Sequence, residues 1–184
     1  MNRITAVDRN AADQGVRKKF DAIQKQLGLV PNMMRTMAQS PVILDGYLAL
    51  SGALSRGLLP AQLQERLALA IGEANACDYC LSAHSVLGRG AGLSEDQVDA
   101  SRDGQASDAK SNAALQFALA VLQRRGGVSD DEVARVRAAG FSDGEIAEIV
   151  AHVGLNVFTN YFNRVVETEI DFPKVTARHV GQLA

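Results

Sequence analysis

The chain has 184 residues, 47% of them apolar and 22% charged, with no tryptophan and a formal net charge of −2. That length suits one domain with its own core. Neither the charge nor any basic run recommends nucleic acid or an anionic membrane surface as a partner. The opening stretch MNRITAVDRNAADQGVRKKF has no apolar core of the kind a signal peptide carries, and no apolar run reaches the ~20 residues that span a bilayer. A cytoplasmic protein with no membrane association is expected.

Nine helices are predicted in chain order: residues 11–27, 32–38, 42–55, 61–75, 78–90, 95–103, 110–125, 130–139 and 143–166. Pro31, Pro41 and Pro60 stand at or near starts, and Gly57, Gly92, Gly104, Gly126, Gly127 and Gly140 stand past ends. Three starts share one signal. Ser94 precedes Gln97, Ser129 precedes Glu132 and Ser142 precedes Glu145, each at the spacing of a capping box, with Leu93, Val128 and Phe141 at the hydrophobic-staple position. The uneven spacing of these signals excludes a solenoid repeat. The expected fold is therefore all-α: a single-domain, multi-helix bundle. Residues 1–19 read as an N-terminal segment, 20–170 as the helical domain and 171–184 as a C-terminal arm, laid on a neighbouring subunit or frayed. The last helix is apolar on more than one side, which suits subunit contact.

The chemistry concentrates in EANACDYCLSAH, residues 73–84, which holds both cysteines of the chain. At about 100° per residue, Cys77, Cys80, His84, Leu87, Gly88 and Ala91 share one apolar face, opposite Asp78, Ser82, Ser85 and Arg89. The cysteines also stand at a helix start. Main-chain amides there, or a nearby imidazolium, draw a thiol pKa from about 8.5 into the range ~3.5–7.5. Two carboxylates on the preceding helix are candidates to complete the site. Glu73 groups with Gln62 and Arg66 on a polar wedge and reads as solvated. Glu65 groups with Ala61, Ala68, Leu69 and Gly72, where partial burial suits proton transfer.

Other readings of the pair are weaker. Zinc would find three ligands in Cys77, Cys80 and His84 but no second Cys/His cluster. His152 falls on a stripe with Glu145, Glu148, Thr159 and Asn163 and reads as a surface histidine. A structural disulfide closing so short a loop would stabilise little. Inert core cysteines rarely come as a C-x-x-C pair with a histidine on the same face. Met33, Met34 and Met37 read as core or interface filler rather than the lining of a substrate pocket. Asn160 falls on the apolar side of its helix and needs a partner, and Tyr161 beside it suits an interface.

Glu65, Cys77, Cys80 and His84 together spell E-x11-C-x2-C-x3-H, which resembles the signature of the alkylhydroperoxidase D and carboxymuconolactone decarboxylase superfamily. The stretches LGLVPNMMRTMAQSPVILDGYLALSGAL, GFSDGEIAEIV and LNVFTNYFNRVVETEIDFP are similar to its peroxidase-related subgroup. The resemblance implies an AhpD-like helical fold assembling into a trimer or hexamer, and the reduction of hydroperoxides with no cofactor or metal. It places Cys80 as the sulfur that becomes a sulfenic acid, Cys77 as its disulfide partner, and Glu65 and His84 in the proton relay. Tyr79 stands where the best-known member has histidine, as a relay or pocket residue. An external dithiol, lipoyl or thioredoxin-like, is the implied reductant. Lactone decarboxylation is the weaker analogy, because the decarboxylases lack the paired cysteines. A non-catalytic, redox-sensing oligomer is the alternative of another class. The residues themselves leave open which sulfur attacks first: the helix start favours Cys77, the histidine one turn on favours Cys80.

Overall fold

The computed structural model describes residues 2–178, and all of their regular structure is helical. The helices are α1 (Gln14–Leu27), α2 (Asn32–Met37), α3 (Pro41–Leu54), α4 (Ala61–Ala74), α5 (Asp78–Gly90), α6 (Glu95–Arg102), α7 (Ala109–Gln123), α8 (Asp130–Ala138) and α9 (Asp143–Val166). The three capping boxes form as expected at the starts of α6, α8 and α9. In each, the serine oxygen takes one orphan amide and the Gln or Glu side chain takes another, which fixes where the helix begins. The first helix starts three residues later than its pattern suggests, because Asp13 accepts the Val16 amide as N-cap.

Helix α4 is the axis of the fold, packed against α5, α6, α7 and α9. Its Leu63, Leu67, Ala70 and Ile71 join Leu115, Phe117 and Ala118 of α7 and Ile149 of α9 in one core. A second core gathers Phe20 and Ile23 of α1, the three methionines of α2 and Leu44 of α3 around Cys77, Tyr79 and Cys80. Each such side chain, fully buried, contributes on the order of 1.5–3 kcal/mol through removal from water.

Two expectations about polarity fail for one reason. Glu73 is only 2% exposed; its carboxylate pairs with the buried Arg102 at 2.8 Å. Ser82 and Ser85, on the supposedly open edge of α5, are buried as well. Helix α6 covers the polar wedge of α4, and residues 173–178 cover the polar edge of α5. The described part of the C-terminal arm packs along its own chain. The Ser82 hydroxyl accepts the Val175 amide at 2.9 Å, Asp78 accepts the Ala177 amide at 2.9 Å, and Arg178 pairs with Asp99 and Asp103. Residues 179–184 of the expected arm lie outside the described residues. Among the described residues no helix is long and apolar enough to cross a membrane.

The turn from α4 to α5 positions the cysteines. The Cys77 amide donates to the Gly72 carbonyl and the Ala76 amide to the Glu73 carbonyl, both at 2.9 Å. This is a Schellman closure, and it requires a left-handed residue at its centre. Ala76 fills that place at φ 50°, where glycine would be unstrained. The closure hands the chain to α5 with Cys77 as its N-cap.

Candidate active site

Cys77 and Cys80 are joined as a disulfide, with Cα atoms 5.3 Å apart. One helical turn separates them, so both sulfurs sit at the N-terminus of α5. Cys77 Sγ accepts the Cys80 backbone amide at 3.3 Å, a sulfur in the place usually taken by a capping oxygen. Both residues are almost closed to solvent, Cys77 at 1% and Cys80 at 3%. They differ in what lies beside them. Cys80 lines a cavity of about 410 Å³, whereas Cys77 does not. That volume lies within the range of small-molecule sites.

One turn beyond Cys80, His84 also lines this cavity, and its Nδ1 meets Glu65 Oε2 at 2.8 Å. Both side chains are mostly covered, at 25% and 21% exposure. The contact depends on a close approach of α5 to α4. A Cβ on Gly88 would stand 3.7 Å from Glu65 Cβ and 3.2 Å from a Leu93 methyl. With Nδ1–H donated to the carboxylate, Nε2 of the neutral imidazole is left as a proton acceptor.

Tyr79 lies in the cavity wall, 5% exposed, and its ring packs edge-on against Phe172 at 5.8 Å. Its hydroxyl accepts the Met33 amide at 3.2 Å. Burial, reinforced by Asp171, pushes the phenol well above its ordinary value of 10.0. The hydroxyl stays neutral and ties α2 and the C-terminal segment to the cysteine turn. Met33 and Met34, expected as filler, do line the cavity, while Met37 is core. Asn160 finds its partner in Asn75, whose side-chain amide donates to it at 2.9 Å.

The largest departure from the sequence reading is on α9. His152, Asn156, Thr159 and Asn163, spaced as one helical face, all line the cavity and are all buried. His152 is 5% exposed, not a surface histidine. The stripe is polar because it faces the cavity, not because it faces water. Asn163 Nδ2 donates to Cys80 Sγ at 3.4 Å and to Met33 Sδ at 3.1 Å. An amide hydrogen directed at that sulfur stabilises negative charge on it. His152 Nε2 and Asn163 Oδ1 are buried without a partner. The His152 imidazole is held below its ordinary value of 6.5 by burial; Glu148 and Glu65 oppose that shift and His84 adds to it. The only sequence signal for this stripe was its amphipathic register, which a solvent-facing stripe shares. Among the described residues no three His, Cys, Asp or Glu side chains converge as a metal-holding group.

These features define an AhpD-like helical protein with a cysteine pair at its cavity. Residues 41–124, which contain Glu65, both cysteines and His84, match the carboxymuconolactone decarboxylase family. The fold is shared with the alkylhydroperoxidase AhpD core of an uncharacterized peroxidase-related protein from Ralstonia eutropha, at 24% identity, a TM-score of 0.86 and 92% coverage of each chain. A peroxidase-related protein from a Silicibacter species is also 24% identical, with a TM-score of 0.79 over 91% of this chain and 92% of that one. A debrominase shares the fold at 22% identity, a TM-score of 0.78 and 92% coverage of each chain. No curated protein matches the sequence. At these identities the structural likeness establishes the fold, and the chemistry must be argued from the site.

Two predictions follow from the α9 stripe. Asn163→Leu removes the hydrogen directed at Cys80, so labelling of the Cys80 thiol of the reduced protein should require a higher pH. The pH dependence of iodoacetamide labelling reads this directly, and an unchanged profile refutes the contact's role. His152 acts on stability. Its folded-state pKa is depressed, so as pH falls through 6.5 the unfolded chain takes up a proton that the folded chain refuses. Stability should therefore decline from there downward, and His152→Gln should flatten that decline in urea-denaturation midpoints measured between about pH 7.5 and pH 5.

Proposed function

We infer that the protein is a thiol-dependent peroxidase that reduces hydroperoxides through the Cys77/Cys80 pair. The observation that carries this reading is a bonded cysteine pair, with Cys80 lining the cavity, beside a hydrogen-bonded Glu65–His84 couple. The cycle starts from the reduced pair. His84 takes the Cys80 proton, with Glu65 stabilising the resulting imidazolium. The thiolate attacks the hydroperoxide; the O–O bond breaks, Cys80 becomes a sulfenic acid, and the alkoxide leaves as an alcohol on taking the proton from His84. The Cys77 sulfur then displaces the sulfenic oxygen as water, and the disulfide closes. An external dithiol returns both sulfurs to the reduced form and leaves as a disulfide.

Access supports Cys80 as the attacking sulfur, because a peroxide in the cavity meets Cys80 and not Cys77. Asn163 supports it too, as a donor to the Cys80 sulfur. The likeness to the debrominase is one of fold and brings no substrate to this chain. Repeated reduction of the pair suits a reducing compartment, and a cytoplasmic location is proposed on that ground.

The test is a thiol count. Reduced protein treated with cumene hydroperoxide should lose two thiols per chain and regain them on adding dithiol. Cys77→Ser should instead accumulate a dimedone-reactive sulfenic acid at Cys80, and Glu65→Gln should slow the first step by about 10²–10⁴-fold. Thiols that persist under hydroperoxide, or dimedone labelling confined to Cys77 in the Cys80→Ser protein, would overturn the reading.

Assembly is proposed alongside. Helix α9 leaves Val150, Phe158, Tyr161 and Val165 exposed, and its neighbour α3 leaves Val42, Ile43 and Leu50 exposed. Apolar surface of that extent suits contact with further copies, as a trimer or hexamer. Sedimentation equilibrium should give a multiple of the 19.6 kDa chain mass, and Val165→Glu should lower it; a monomer at micromolar concentration refutes the assembly.

A further inference from the structure

The α9 wall of the cavity holds more polar groups than the chemistry at Cys80 uses. We propose that His152 and Asn156 form a second polar subsite that binds a hydroxyl group, so that the substrate is an uncharged organic hydroperoxide with a hydroxyl set well along its apolar body from the peroxide. That the ligand is a hydroperoxide rests on the peroxidase reading above; the subsite itself rests on the position, the unmet hydrogen bonds and the charge of the cavity wall.

Asn163 donates to Cys80 Sγ and so marks the end of the cavity where the sulfur lies. Asn156 and His152 share its face of α9, two and three turns back, roughly 10 Å and 16 Å along the axis. A peroxide held at Cys80 therefore leaves these two side chains to a remote part of the same ligand.

Both side chains line the cavity and both are buried, His152 at 5% and Asn156 at 4% exposure. Asn156 Nδ2 donates to the His152 carbonyl at 2.8 Å, and Oδ1 accepts from no described residue. His152 Nε2 is buried without a partner, and Nδ1 bonds to no described residue. Polar groups this well buried are otherwise almost always paired. Burial holds the imidazole below its ordinary value of 6.5. The ring is then neutral at neutral pH, with one nitrogen to donate and one to accept.

Charge narrows the ligand. Among the described residues no Lys or Arg lines the cavity, and its one carboxylate, Glu65, is already paired with His84. An anionic tail would be buried with no counter-charge, and a cationic one would find its only acid taken. A carbonyl only accepts, which leaves Asn156 Oδ1 unmet. A hydroxyl both donates and accepts, so one group answers Asn156 Oδ1 and the imidazole together. Between this subsite and Cys80 the wall is largely apolar, with Ile23, Leu29, Leu48 and Leu155 to cover a hydrocarbon body.

The first tests use the oxidised protein and no peroxide. Octanediol with a hydroxyl at each end is the alcohol that reduction of a hydroxyoctyl hydroperoxide would leave, and octanol lacks the remote hydroxyl. In nitrogen NMR of the wild type, octanediol should shift the His152 ring signals and octanol should not. In calorimetric titration, His152→Leu and Asn156→Leu should each weaken octanediol several-fold relative to octanol. Ring signals that octanediol leaves in place, or an unchanged ratio of the two affinities in both variants, overturn the proposal. So does octanoate binding at least as tightly as octanol. With reduced protein, His152→Leu should raise KM for hydroxyoctyl hydroperoxide several-fold at nearly constant kcat and leave octyl hydroperoxide unaffected; a fall in kcat with KM unchanged overturns the binding role. If neither hydroperoxide is reduced while octanediol binds as stated, the peroxidase reading fails and the hydroxyl subsite is upheld.

Discussion

The geometry of the site depends on the Schellman closure between α4 and α5. Two main-chain hydrogen bonds, from Cys77 to Gly72 and from Ala76 to Glu73, end one helix and start the next within a single turn. The cost is a non-glycine residue at φ 50°, on the order of 1–2 kcal/mol. What that strain secures is register. Cys77 must cap α5, so Cys80 lies one turn in, and His84 one turn further, on the side that faces Glu65. Because α5 turns back along α4, a carboxylate nineteen residues from His84 in sequence comes within 2.8 Å of it. Gly88 permits the approach by leaving no side chain between the helices.

Much of this was legible in the sequence because local rules and global fold agree. Capping boxes at Ser94, Ser129 and Ser142 are local interactions, and they form as the residue spacing requires. The same holds for the helical-wheel face that joins Cys80 to His84. The choice of Glu65 over Glu73 used only the company each keeps on α4, and the structure brings Glu65, not Glu73, to His84. What a helical wheel cannot supply is the identity of the neighbour. Glu73 and Arg66 form a polar wedge in sequence, but α6 covers it, so Glu73 pairs with Arg102 and Arg66 donates to Ser101 at 3.1 Å. A polar face is compatible with water, with an ion pair across an interface, or with a cavity, and the sequence alone does not distinguish them.

The α9 stripe shows the third of these cases. Burying an amide or imidazole without its full set of partners costs about 1–3 kcal/mol per group. A fold that places Asn163 and His152 beside the cavity with unpartnered atoms carries that cost at the site. The core built by α4, α7 and α9 is apolar by contrast, from Leu67 through Leu115 to Ile149. The apolar core of α4, α7 and α9 and the polar stripe that lines the cavity thus meet along α9. Helix α9 serves both, with Ile149 and Val153 on one face and His152 and Asn163 on another.

This arrangement also separates the two sulfurs, between which the residues alone left the first attack open and the resemblance favoured Cys80. The helix start and the histidine point to different cysteines, which on the proposed reading act at different steps. Main-chain amides at the start of α5 favour a charge on Cys77, the sulfur that no cavity reaches. The Asn163 amide favours a charge on Cys80, the sulfur that lines the cavity. A nucleophile must be accessible, whereas a leaving group needs only to be stabilised. On the proposed reading, attack by Cys80 uses the sulfur that both lines the cavity and receives the Asn163 amide, whereas the reverse assignment would make a nucleophile of the sulfur that no cavity reaches.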